Sequence, residues 1–271
     1  MNCHDVDHAL IEGGTAVIAK LSAEAQKHIA GCERCQGLVG ALNAPASTDT
    51  PSPEMLQNLA RKLAAGLRPV RPLAPMRYFL CAFAGIFGLI VALGVYRMGP
   101  FAISVMSPVQ GVTILCALAA SAGLLAYSLV HQMVPGSRQP LNPELLPAAI
   151  MIMLLLVTAV LFQFQYHANF WGNSWGCFRA GAPFALIAIL PIWLLLRRGA
   201  VLTPRSTGAA AGLLAGLVGA SVLEIHCPNL DVSHILIGHL GVAVAGAVVG
   251  LSIGFAGEMI GRRSYSTNSS K

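Results

Sequence analysis

The sequence predicts an all-α protein in two parts: a small zinc-binding helical domain, then a polytopic bundle of six transmembrane helices. Three observations carry this reading. Of 271 residues, 55% are hydrophobic and 10% charged, where a soluble domain carries about 25% charge. From Tyr78 onward, apolar runs of roughly the length that crosses a bilayer as helix follow one another. Ahead of them lies a polar segment in which "HIAGCERC" crowds His28, Cys32 and Cys35 together.

The first residues, "MNCHDVDHAL", have neither the basic nor the apolar region of a secretory signal, so this end is expected in the cytoplasm. Residues 1–42 read as short helices. Ser22 is placed to cap one, Glu24 falls in its first turn, and Gly31 ends it with His28 in the last turn. Residues 43–53, "NAPASTDTPSP", have linker composition. In the helix that follows, Ser52 caps and Pro53 takes the first position. Met55, Leu56, Leu59, Leu63 and Leu67 recur at helical spacing, with Arg61, Lys62 and Arg68 between them. Such a stripe needs a partner: the membrane surface, the same small domain or another protein.

Six spans are predicted, at 78–96, 109–130, 144–163, 180–196, 207–225 and 234–258, within a membrane domain over 78–260 and before a tail over 261–271. The fourth is the shortest and contains Pro183 and Pro191. With the N-terminus inside, 15 of the 17 Lys and Arg residues fall on the cytoplasmic side; Arg97 and Arg179 are the exceptions. This positive-inside bias places both termini in the cytoplasm. It also accounts for the net charge of +6 without invoking nucleic acid. Gly208, Gly212 and Gly216 in span five, and Gly246, Gly250 and Gly254 in span six, form ladders that let backbones approach. The partner face is either the other ladder or a second protomer.

Two clusters can carry chemistry. His28 and Cys32 are four residues apart and Cys35 is three further on. A structural zinc site needs four ligands. Cys3 is the fourth candidate, with His4 and His8 as rivals, and a Cys32/Cys35 redox pair is the alternative. The pattern C3…H28-IAG-C32-ER-C35 resembles the zinc-binding anti-sigma domain over residues 3–42. The resemblance implies zinc on Cys3, His28, Cys32 and Cys35, and a helical bundle that binds an extracytoplasmic-function sigma factor. It further implies that the helix after the linker, through Leu56, Leu59 and Leu63, wraps that partner. Gly13-Gly14 departs from the family, whose first helix usually continues there.

The second cluster is expected on the outer side. "WGNSWGCFRAG" places Cys177 between spans three and four, and "LEIHCPNLDVSHILIGH" places His226, Cys227 and His234 between spans five and six. Cys177 and Cys227 can pair as a disulfide there, or bind a soft metal with help from His226 or His234. His239, five residues from His234, is not expected on the same helix face. With the "RRGA" turn, these segments resemble the six-span NrsF family of membrane anti-sigma factors over about residues 170–262.

The expectation is therefore a non-enzymatic anti-sigma factor of the bacterial inner membrane, holding a sigma factor through its zinc domain and releasing it on an outer signal. A membrane thiol oxidoreductase using Cys177 and Cys227 is weakened by the lack of a Cys-x-x-Cys pair between them. A metal transporter with a sensing cap is weakened by span centres nearly free of charge. A homo-oligomer through the glycine ladders stays open.

Overall fold

Helix boundaries in the N-terminal region follow from capping. The computed structural model describes residues 3, 6, 22–43, 52–66, 74–134, 136–137, 139–164, 170–201 and 203–268, with side chains outside 64–66 and 260–268. Ser22 Oγ accepts from the Ala25 N–H at 3.3 Å and opens α1 (Ala23–Gly31), with Glu24 in the first turn. The backbone turns extended at Cys32 and α2 (Glu33–Asn43) starts at once. Val6 and Cys35 are buried together, with Ile29 and Val39 packed around them. Ser52 Oγ accepts from the Met55 N–H at 3.1 Å and opens α3 (Pro53–Gly66). Most of the predicted linker, Gly13-Gly14, His4, His8 and Leu67 lie outside the described residues.

The chain divides into two compact units, Met1–Arg71 and Pro72–Lys271. In the second, five helices among the described residues are long and apolar enough to cross a bilayer: α4 (Met76–Met98), α5 (Pro108–Met133), α7 (Phe170–Leu196), α8 (Pro204–His226) and the run Val232–Met259. That last run, α9, opens as one turn at Val232–His234, passes through a π turn at Ile235–His239 and continues as helix over Leu240–Asn268.

Two predicted spans need correction. The third, α6 (Leu146–Leu161), has 16 residues, about 24 Å of helix against a hydrocarbon core of about 30 Å. At its start the Asn142 side chain accepts from the Glu144 N–H; beyond its end Phe162 is extended and Gln163 bridges Asp231. The fourth is longer than predicted. It begins at Phe170, and Pro183 and Pro191 sit inside it, as the packed surroundings of a membrane helix tolerate.

Despite its length α6 runs from one end of the bundle to the other. Gln110, in the first turn of α5, donates to the Leu161 carbonyl at 2.8 Å. Glu144 and Pro147 share a cleft with Arg205 and Ser206 at the start of α8. The Ala200 N–H donates to the Met133 carbonyl at 3.0 Å, joining the ends of α5 and α7. His226 Nδ1 lies 3.1 Å from the Gly99 carbonyl, joining the ends of α4 and α8. Passes therefore alternate. One end, the cysteine end, collects Gly99, Cys177 and Cys227; the other, the arginine end, collects Arg77, Arg197, Arg198 and Arg205.

Helix α8 is the axis of the bundle and touches each of the other five. Its leucines 213, 214, 217 and 223 are fully buried. The two glycine ladders face each other within the chain. A Cβ on Gly208 would meet the Gly250 carbonyl, one on Gly212 the Gly246 carbonyl, and one on Gly254 the Pro204 carbonyl. The ladders are thus used between α8 and α9, which removes the observation that pointed to a second protomer. At the arginine end, buried Gln132 of α5 accepts from Thr207 Oγ1 at 2.8 Å and Ser206 Oγ at 3.2 Å. Such side-chain bonds join helices where apolar burial discriminates little.

Candidate metal centres

The first centre is made by a break between two helices. Cys3, His28, Cys32 and Cys35 bring one ligand atom each to within 4.8 Å of all the others. Cys3 Sγ lies 3.5 Å from His28 Nε2 and 3.7 Å from Cys32 Sγ. A tetrahedral ion bound at about 2.3 Å to sulfur and about 2.0 Å to nitrogen requires edges of about 3.6 and 3.8 Å. The donor set and spacing therefore fit zinc. Cys32 precedes α2, and the backbone N–H of Cys35 holds its thiol below the ordinary range, with Cys3 adding to this. Burial pushes the Cys35 thiol up to about 11, and the two neighbouring thiols add to the rise. Three thiols this close cannot all ionise without a cation, which is the condition a structural metal relieves.

The second centre lies at the cysteine end. Cys177, Cys227, His234 and His239 also bring their ligand atoms within 4.8 Å of one another, and the last three are buried. The two sulfurs are 3.5 Å apart and unbonded. His234 Nε2 is 3.4 Å from Cys227 Sγ, while its Nδ1 is 3.4 Å from Ser174 Oγ. The Asp231 carboxylate accepts from the His234 N–H at 3.2 Å and fixes where α9 begins. The π turn adds His239. Its backbone closes between the Leu240 N–H and the Ile235 carbonyl, and the widened turn brings residues five apart onto one side. The His234 and His239 rings meet edge to face with centroids 5.2 Å apart.

Three expectations change here. Cys177 belongs to helix α7 rather than to a loop. His226 is not in the cluster, because its ring is engaged by Gly99 and Phe101. His239, excluded by helical spacing, is in it. Glu224, near the end of α8, joins it: its Oε1 lies 3.2 Å from His239 Nδ1, with both side chains 1% exposed. The π turn brings His239 to the side of His234, and no periodicity in the sequence announces it. The stripe of α3 is exposed: Met55, Leu56, Leu59 and Leu63 are each more than half accessible.

With both centres placed, comparison with known proteins decides the family. The family model for NrsF, negative regulator of sigma F, matches residues 63–256. The chain belongs to the NrsF family. An NrsF relative, the probable anti-sigma-F factor NrsF of Azospira oryzae, is 30% identical over 214 residues, covering 73% of this chain and 97% of that protein. No solved structure matches. The NrsF match contains the second centre and begins near the end of α3; the first centre precedes it.

Proposed function

We propose that the chain is a multi-pass inner-membrane anti-sigma factor. It holds a sigma factor of the extracytoplasmic-function class through residues 3–43 and α3, and releases it on a signal read at the cysteine end. The anti-sigma character rests on the NrsF family match. The observation that carries the mode of binding is the exposed leucine stripe of α3, which in the sequence follows a zinc-competent centre and runs up to the start of the family match. An exposed apolar stripe on an amphipathic helix is the element that fills a partner's groove. Zinc on Cys3, His28, Cys32 and Cys35 supplies the folding free energy that a core as small as Val6, Ile29, Cys35 and Val39 does not. The even number of passes puts both termini on one side, which the Lys/Arg bias assigns to the cytoplasm, where a sigma factor is found. The cysteine end then faces outward, with Cys177, Cys227 and His234 as the sensing groups.

Transcription tests this reading. Deleting the gene should raise output from a promoter dependent on the partner sigma factor, and the full chain should silence it again. Leu56→Asp with Leu59→Asp should leave it raised at equal membrane abundance. Silencing by the double variant equal to that by the parent chain would remove α3 from the contact.

A further inference from the structure

Four donor atoms and one carboxylate are arranged at the cysteine end as shells of a single site. The distances of 3.5 Å between sulfurs and 3.4 Å between Cys227 Sγ and His234 Nε2 are close to tetrahedral edges of about 3.8 and 3.6 Å. Both imidazoles are oriented in the same sense. His234 turns Nδ1 to Ser174 and Nε2 to the thiols. His239 turns Nδ1 to Glu224, and its ring brings a ligand nitrogen within 4.8 Å of both sulfurs and of the His234 donor. Both side chains of this pair are 1% exposed. A buried carboxylate is costly unless it is paired, so its place behind the His239 ring needs a reason. Gly238 supplies the access: a Cβ there would lie 3.1 Å from the Ser174 carbonyl and 3.3 Å from Cys177 Cβ, so the π turn can sit directly on α7.

We propose that the cysteine end is a closed four-ligand site for a divalent, thiolate-accepting cation of the zinc class, with His239 as fourth ligand and Glu224 as the residue that positions His239. Loading the ion on two thiols and two neutral imidazoles releases two protons and leaves a core of zero net charge. That is the form a low-dielectric site accepts most readily. The imidazole bound through Nε2 then carries its hydrogen on Nδ1 and donates it to Glu224. A carboxylate behind a ligating histidine fixes the ring and raises its basicity. The site draws on α7, the end of α8 and both the turn and the π segment of α9, so its occupancy ties together the helices that the glycine ladders pack. This deepens the sensor reading above. Its test is made on the isolated protein, so it can fail without that reading failing.

The full chain is purified in detergent with Cys32→Ser and Cys35→Ser, which silence the first centre, and titrated with cobalt(II) as a spectroscopic probe for zinc. One equivalent should bind with the visible bands of tetrahedral, thiolate-ligated cobalt, and zinc should displace it. Cys227→Ser should abolish those bands. Glu224→Gln should keep them but weaken binding about 10–100-fold, and Glu224→Asp should restore part of the loss. Size-exclusion elution of each variant reports folding separately. Absence of tetrahedral bands in the parent would overturn the site. Unchanged affinity in His239→Asn would remove the fourth ligand, and unchanged affinity in Glu224→Gln would remove the positioning role.

Discussion

The sulfur atoms of Cys177 and Cys227 stand 3.5 Å apart, one on α7 and the other at the end of α8, fifty residues away in sequence. A disulfide needs about 2.0 Å, so a closure of about 1.5 Å would join them. Mild oxidation with diamide should therefore produce an intramolecular Cys177–Cys227 bond, detected as a linked peptide pair by mass spectrometry. Prior treatment with a chelator should speed it, because thiolates held by an ion are poor partners for oxidants. Failure to link under any oxidant would contradict the observed proximity.

Gly212 and Gly246 give the sharpest packing prediction. A side chain on either meets the other's backbone, whereas a Cβ on Gly123 of α5 meets nothing within 4 Å. Gly212→Leu should cost about 3 kcal/mol or more, since carbonyls on a packed helix cannot move aside as side chains do. Gly123→Leu should be near neutral. Thermal unfolding in detergent, read side by side for the two variants, distinguishes them.

Legibility in the sequence follows the range of the interactions concerned. Caps are local, so Ser22 and Ser52 were readable at their own positions. Ladders four residues apart were readable as faces, but which face met which was not; that depends on α8 lying at the centre. Hydropathy located every pass but misjudged two lengths. The ends of α6 are set by an Asn142 turn and a Gln163–Asp231 bridge, and α7 continues through polar Ser174 and Asn173. The first centre was legible in part: His28, Cys32 and Cys35 crowd together in the sequence, whereas Cys3, 25 residues from His28, was singled out by the resemblance to the zinc-binding anti-sigma domain. The second was only half legible: a π turn breaks the rule that residues five apart diverge, and so hid His239 and with it Glu224.

The first centre predicts a folding phenotype rather than a binding one. The buried apolar residues around it are few, and structural zinc in domains of this size supplies about 10–16 kcal/mol. Cys32→Ala, or a strong chelator, should abolish most of the helical circular dichroism of a fragment over residues 1–71. Return of zinc should restore it in the parent fragment alone. A spectrum indifferent to both treatments would show that the metal does not hold the fold.

Capture of a sigma factor by the N-terminal unit is the step on which the proposed function turns. The most direct measurement is co-purification of the tagged full chain from detergent-solubilised membranes, with the retained proteins identified by mass spectrometry. The prediction is a sigma factor of the extracytoplasmic-function class with the parent chain, and its loss from the Leu56→Asp, Leu59→Asp variant. No sigma factor with the parent chain, or equal retention by both, would contradict capture through α3 and the N-terminal unit.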